Sequence, residues 1–212
     1  MDKQKQLIRR MVEKAYKHKN GHLASALSAL PIINTVYSEF NFGQDVFILS
    51  KGHGCLALYA VLENYEFNPD WSKIHPDRDE KNGIYCTTGS LGHGLPIAVG
   101  VALAKKLRGE EGKVYVLLGD GECLEGTTWE SLNIAAHFDL KNLWVLIDNN
   151  QYQAIGKTLI PDTIKIIRMH WNEVIVFNGI KGQGIKLFEK HPDWHVHQLT
   201  EEEYKQTMKE LK

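Results

Sequence analysis

The stretch from Gly119 to Asn150 concentrates residue types that can hold a charged ligand. It opens with Gly119-Asp120-Gly121-Glu122 and closes with Asp148-Asn149-Asn150, and 27 residues, 122 to 148, lie between the Gly-Asp-Gly and the Asn pair. A carboxylate, an amide oxygen and a backbone carbonyl are hard oxygen ligands. Mg²⁺ takes few of these from a protein and completes its octahedron with phosphate oxygens and water. Gly119 and Gly121 lack a Cβ, so the backbone there can turn sharply and approach a phosphate closely. A helix start just beyond offers free N–H groups and the positive end of a dipole. The chemistry implied is capture of a diphosphate through a divalent cation. An Asp at a strand end is also an ordinary helix cap, and it is the pairing with Asn150 that favours a site.

The surrounding pattern brings the two ends together. Val114 to Leu118 is a short apolar run and reads as a buried strand. Residues 127–138 suit a helix with Leu132, Ala135 and Ala136 as apolar positions, and Leu143 to Ile147 is a second buried strand. Such a βαβ unit has parallel strands and a right-handed crossover. Asp120 and Asn150 then share the carboxyl-terminal edge of the sheet, where open α/β sheets bind ligands. Trp129, Leu132 and Ala136 are read as packing residues. Elsewhere, residues 3–18 carry Leu7, Ile8, Met11, Val12 and Ala15 at helical spacing among charges, an amphipathic helix. Further helices are expected over 24–40, with Pro31 inside, and over 53–63 and 96–107, with strands at 46–49 and 174–177. Residues 66–83 read as loop, and 157–171 have no clear assignment. Thr200-Glu-Glu-Glu203 is a capping-box pattern that predicts a final helix over 200–211.

The sequence Gly119-Asp-Gly-Glu-x-x-Glu125-Gly-x-x-Trp129-Glu followed by Asn142-Leu-Trp-Val-Leu-Ile-Asp-Asn-Asn150 is similar to the thiamine-diphosphate motif of the transketolase family. Four further blocks resemble that family, in its order: Asn20-Gly21-His22; Phe47 to Gly54 with Ser50-Lys51-Gly52-His53; His75-Pro-Asp-Arg78 with Thr87-Thr-Gly-Ser-Leu-Gly92; and Ile180-Lys-Gly-Gln-Gly184 with Trp194-His195. The resemblance covers nearly the whole chain. It implies a three-layer α/β fold with a mostly parallel sheet flanked by helices, in one diphosphate-binding domain over 1–212.

The resemblance also implies roles. Asp120 and the side chain of Asn150, with the backbone carbonyl of Tyr152, would hold Mg²⁺ or another divalent cation. Gly119, Gly121 and the Gly89-Ser90-Leu91 block would line the cofactor, thiamine diphosphate. His22, His53, His75 and His195 would line the diphosphate and the substrate's hydroxyl and carbonyl oxygens, where imidazole can hydrogen-bond a developing alkoxide and carry protons. Glu125 would belong to a proton-linking network at a subunit contact, although a Glu there also compensates a helix N-terminus. Asn149, His93 and the remaining histidines receive no role. The implied activity is two-carbon ketol transfer from a ketose to an aldose. The family's pyrimidine-binding half is absent, so the expected partners are a pyrimidine-domain subunit, another copy of this chain in an α2β2 assembly, and a sugar or sugar-phosphate substrate.

Bulk properties set limits. The chain has 212 residues, 43% hydrophobic, with a net charge of −1, so nothing draws it to nucleic acid or to an anionic membrane. Three scattered cysteines, Cys55, Cys86 and Cys123, form neither a disulfide frame nor a zinc motif and fit a reducing cytoplasm. The N-terminus lacks a signal core, and no apolar run reaches the roughly 18 residues of a membrane span. One departure stands out: only 17 residues, 157–173, separate Gly156 from the strand at 174. The family usually has a helix, a strand and another helix there, which bears on the sheet edge and on the wall over the thiazolium ring. Two other readings stay open. One is the α-type subunit of a 2-oxo-acid dehydrogenase or decarboxylase, which generally lacks the blocks around His53 and Ser90. The other is a non-catalytic cofactor-binding relative.

Overall fold

Runs of Val, Ile and Leu too short for helices become neighbouring strands. The computed structural model describes residues 3–158, 165, 167, 171 and 174–212. β1 (Val46–Leu49), β2 (Val114–Gly119) and β3 (Leu143–Asn149) are followed by a small antiparallel hairpin, β4 (Tyr152–Gln153) and β5 (Gly156–Lys157), and then by β6 (Val174–Asn178). The main sheet is parallel in the order β1-β2-β3-β6. Its register aligns Leu49, Leu117 and Leu146 across three strands, and sets Gly119 beside Asp148.

Successive strand side chains point to opposite faces, and both faces are covered. On one side Phe47, Leu49, Tyr115, Leu117 and Leu146 join α1 (Lys3–His18), α2 (Leu23–Ser38) and α3 (Cys55–Glu63). On the other, Ile48, Val116, Leu118, Val145 and Ile147 pack on α4 (Gly94–Arg108) and α5 (Gly126–His137). A one-turn helix, α6 (Lys186–Glu189), and a last helix, α7 (Glu201–Glu210), return to the first layer, where Phe188 is buried. The layered α/β fold with its parallel sheet is therefore as expected. The alternation also decides where the polar strand ends point. Asp148 follows Ile147 and turns to the α2 side of the sheet, into the same layer as Leu146.

Most elements fall within two residues of their expected bounds. α7 carries the full capping box: Thr200 Oγ1 accepts from the Glu203 N–H at 3.3 Å, and the Glu203 carboxylate accepts from the Thr200 N–H at 2.8 Å. Two points differ. The expected loop 66–83 contains a 3₁₀ turn, Glu80–Asn82, because Asp79 and Ile84 form a bridge that closes it. Ala136 is exposed rather than packed, because the face α5 buries runs through Thr128, Ser131, Leu132 and Ala135. Most of 157–173 lies outside the described residues. Among those described, β6 pairs directly with β3.

Leu117 has no exposed surface and sits at the centre of the α1–α3 face, whereas Leu107 is 78% exposed. Leu117→Ala is expected to cost about 2–5 kcal/mol and Leu107→Ala less than about 0.5 kcal/mol. Urea midpoints of the two variants against the parent chain measure both.

Candidate active site

The carboxyl edge of the sheet is tied together by a buried ion pair. Lys51 follows β1 and Asp148 ends the buried part of β3. Lys51 Nζ donates to Asp148 Oδ2 at 2.5 Å, and both side chains are 1% exposed. Ser28 Oγ of α2 donates to the same oxygen at 2.6 Å, and Asn150 Nδ2 reaches it at 3.4 Å and Ser28 Oγ at 3.2 Å. Lys51 Nζ also donates to the Ser25 carbonyl at 3.2 Å. A buried ion pair is tolerable only when further hydrogen bonds occupy its remaining valences, and these supply them.

Glu122 makes a second knot. Its carboxylate accepts from Ser50 Oγ, from the Gly92 N–H at 2.8 Å and from the Gly119 N–H at 3.3 Å. One side chain thus ties the loop after β1, the turn before α4 and the end of β2. Burial raises its pKa against the pull of those donors. Gly92 adopts φ +79°, and a Cβ there would lie 2.4 Å from Thr127 Oγ1, so only glycine fits.

Asp120 follows directly. Its Oδ1 accepts from the Gly121 N–H at 2.9 Å and its Oδ2 from Thr158 Oγ1 at 3.0 Å. It therefore caps the 3₁₀ turn Gly121–Leu124, and the Gly121 N–H is already engaged. Burial raises its pKa as well. Asn150 Oδ1 accepts from the Tyr152 N–H at 3.1 Å. Asp120, Asn150 and Tyr152 all line one cavity of about 70 Å³, whose other walls include Lys51, His53 and His195. Gln153 and Ala154 of the β4–β5 hairpin close one side.

Four histidines from four separate loops converge beside it. The His22 ring lies 5.9 Å from His53, 5.6 Å from His75 and 5.6 Å from His195, and His53 lies 5.1 Å from His195. Burial lowers the pKa of all four, that of His22 to about 4, helped by His195, His75 and Lys181. Near neutral pH they are uncharged rings, each with one N–H and one lone pair to offer. Among the described residues, the Nδ1 atoms of His22 and His195 are buried without a hydrogen-bond partner. So is Lys181 Nζ, which stands 5.9 Å over the Tyr152 ring. Burial brings Lys181 down to about 8, Lys51 adding to the effect and Asp120, Asp193 and Asp148 opposing it.

Residues 3–187 match the family model described as transketolase, thiamine diphosphate binding domain. The chain belongs to the transketolase family. It is 32% identical over 264 aligned positions, spanning all of this chain and 96% of the relative, to one of the named subunits of apulose-4-phosphate transketolase in Actinobacillus succinogenes. A protein of the same name in Phocaeicola vulgatus is 30% identical, with 96% and 90% covered. The chain superposes on a transketolase from Pichia stipitis with a TM-score of 0.80 at 24% identity, over 99% of this chain and 40% of that one. For a transketolase from Campylobacter jejuni the values are 0.79 and 22%, over 98% and 42%. Both show a shared fold, and this chain spans about two-fifths of each.

The 264 aligned positions against 212 residues leave 52 positions without a counterpart here, in keeping with a shortened transketolase domain. Among the residues expected from the transketolase resemblance, His53, Leu91, Gly119, Asp120, Gly121, Asn150, Tyr152 and His195 meet at the cavity, and His22 and His75 join through their rings. Gly89 backs the His75 ring, 3.2 Å from where its Cβ would be. Ser90 is exposed, its Oγ 3.2 Å from His93 Nδ1. Glu125 is exposed at the N-cap of α5, where its side chain makes no capping bond. No group of three or more His, Cys, Asp or Glu among the described residues is placed to hold a metal. A set of one carboxylate, one amide and one carbonyl is of a different kind. The partnerless imidazole nitrogens and ammonium beside Asp120 suit an anionic group bound through a hard cation.

Sequence reasoning missed Glu122, Asp148, Lys51 and Lys181 as parts of this arrangement. A charged residue within an otherwise apolar strand, as Asp148 is, was the available signal.

Two outcomes follow. Asp148→Asn strands the Lys51 ammonium and is expected to cost about 3–5 kcal/mol, whereas the pair Lys51→Met with Asp148→Leu costs less than either single change. Urea denaturation of Asp148→Asn, Lys51→Met, Asp148→Leu and the double variant checks the order. His22 has a depressed pKa in the folded state, so its contribution is full above pH 6.5 and is lost as pH falls toward about 4. His22→Gln is expected to flatten that part of the stability–pH curve. An unchanged slope between pH 6.5 and 4 contradicts the reading of a buried neutral ring.

Proposed function

We propose that this chain is the diphosphate-binding subunit of a two-chain transketolase, active in ketol transfer from a ketose to an aldose together with a pyrimidine-domain subunit. The observation that carries the reading is the meeting of Asp120, Asn150, Tyr152, His53 and His195 at one cavity on the carboxyl edge of the sheet. Two relatives that are themselves named as transketolase subunits, matched over 96% and 90% of their length, support the two-chain form.

In this reading residues 1–212 make one domain. Asp120, Asn150 and the Tyr152 carbonyl hold Mg²⁺ or another divalent cation, and Gly119, Gly121, Gly89, Ser90 and Leu91 frame thiamine diphosphate. When bound, the cofactor supplies a carbon nucleophile and an electron sink for breaking a carbon–carbon bond. The protein's own work is positional and protolytic. Buried and uncharged, His22, His53, His75 and His195 can donate to a carbonyl oxygen or accept from a hydroxyl without first being desolvated. An arriving anion raises their proton affinity, since opposite charge favours the charged ring. Glu125, exposed at the start of α5, is free to meet a partner subunit. We further read the assembly as α2β2, the substrates as sugars or sugar phosphates, and the location as cytoplasmic. In support of the last, the three cysteines are unpaired. No helix among the described residues is long and apolar enough to cross a membrane.

Calorimetry of thiamine diphosphate with Mg²⁺, with and without a pyrimidine-domain chain, tests the reading. Binding and ketol transfer are expected only in the mixture, and Asp120→Asn is expected to weaken binding more than about tenfold, at or beyond the loss seen for residues that merely support a metal ligand. Robust transfer by the chain alone would sink the two-chain form. Binding without ketol transfer, even with the partner chain present, would favour a non-catalytic cofactor-binding relative.

A further inference from the structure

His195 stands in a segment that no ladder supports. Residues 190–200 contain neither helix nor strand, and the Nδ1 of His195 has no hydrogen-bond partner among the described residues. The residues beside it must therefore place it. His197 is held at three points. Its N–H donates to the Gly21 carbonyl at 2.8 Å. Its ring stacks on Trp194, with centroids 3.6 Å apart and planes 19° from parallel. Its Nε2 lies 3.1 Å from both carboxylate oxygens of Glu203. An ionised carboxylate only accepts, so that nitrogen carries the proton and donates it. The first contact fixes the residue before His22, and the second fixes the residue before His195.

The third contact leads to α7, which is anchored elsewhere. Tyr204 stacks on Tyr16 of α1 at 4.2 Å and 9°, and Glu210 Oε1 accepts from the Lys186 N–H of α6 at 3.2 Å. The Glu203 carboxylate is itself held, accepting from the Thr200 N–H at 2.8 Å and from Thr200 Oγ1 at 3.0 Å. It is a fixed point for His197 to bond. The pair is half-buried, 23% and 21% exposed, and is screened less than a pair in open water. At the other end the fit is close: a Cβ on Gly21 would lie 2.7 Å from Val196 Cγ1 and 3.1 Å from His197 N. The segment thus lies flush against the turn before His22, whose ring stands 5.6 Å from that of His195.

Resting on the function proposed above, we propose that His197, anchored by Glu203, is a positioning residue that sets His22 and His195 at their working separation. Neither His197 nor Glu203 lines the cavity, so α7 serves the site from outside it. Misplacing a reacting group by about 1 Å can cost roughly 100-fold in rate, which makes such an anchor matter to turnover. The helix cap is a separate interaction, Thr200 Oγ1 accepting from the Glu203 N–H at 3.3 Å. Loosening α7 and releasing His197 are therefore different perturbations, and a purely structural pair would not tell them apart.

The test compares His197→Ala, Glu203→Ala, Glu203→Gln and Thr200→Ala in the full chain. Imidazole NMR resonances, assigned with His22→Gln and His195→Gln, report the two rings directly. Ketol transfer is then measured with a pyrimidine-domain chain, thiamine diphosphate and Mg²⁺. In His197→Ala and Glu203→Ala the His22 and His195 resonances are expected to shift or broaden, and kcat to fall at least about tenfold with KM changed less. Glu203→Gln keeps an acceptor and a residue that suits the capping box, and should recover most of the turnover. Thr200→Ala loses the cap; it should lower the melting temperature yet leave the resonances and kcat close to the parent's. If His197→Ala does not fold, the two Glu203 variants decide. Unmoved resonances in the alanine variants at 197 and 203, or a turnover that falls as far in Thr200→Ala as in those two, overturn the positioning role and leave the proposed function standing. If the parent mixture transfers no ketol group the proposed function falls, and the spectra still decide whether His197 sets the two rings.

Discussion

The architecture of the site depends on the buried pair between Lys51 and Asp148. Lys51 comes from the loop after β1 and Asp148 from the end of β3, two strands separated in the sheet by β2. The pair spans the carboxyl edge and draws α2 down onto it through Ser25 and Ser28. A parallel sheet leaves its carboxyl-end loops to be arranged by side chains, because the ladder stops there. In this protein a pair of opposite charges, 1% exposed on each side, does that arranging. The desolvation of two ions is offset only if every remaining donor and acceptor is filled, which fixes Ser28 and Asn150 as strictly as the ions themselves.

Glu122 extends the same logic to the other helical layer. Its carboxylate gathers Ser50, Gly92 and Gly119, so the residue next to Lys51 in sequence is held by the opposite face of the fold. Ser50 and Lys51 are adjacent yet anchor to different partners, Glu122 and Asp148. The following Gly52-His53-Gly54 turn is thereby fixed from both sides, which is how His53 comes to stand 5.1 Å from His195 across chain segments far apart in sequence.

Much of this is legible in the residues alone. Hydrophobic period distinguishes the strands at 46–49, 114–118 and 143–147 from the helices, and the capping residues Thr200 and Glu203 locate α7. The shared edge of Asp120 and Asn150 follows from crossover handedness. Other features are not legible. Which polar strand-end residue turns inward depends on register, and this separates buried Asp148 from half-buried Asn149. The apolar count of α5 does not tell Ala135 from Ala136, since the helix rotates by packing on α4. The partnering of Glu122 and the lack of partners at Lys181 are properties of assembled loops. No local pattern encodes them.

Charge balance links these pieces. Around the cavity, Asp148 is neutralised by Lys51, and the carboxylates of Asp120 and Glu122 are pushed upward in pKa by burial. The four imidazoles are pushed downward by burial and Lys181 is also depressed. At each of these groups burial disfavours the charged form. On the proposed function, a divalent cation beside Asp120 and an anion beside the imidazoles would reverse both sets of shifts together, because each charge favours the ionised form of the groups it faces. Binding either one alone leaves half of the site opposed to it. On the proposed reading this couples metal and diphosphate: a cation–diphosphate complex meets favourable charge on both sides, whereas the free diphosphate meets the carboxylate of Asp120 without a cation between them.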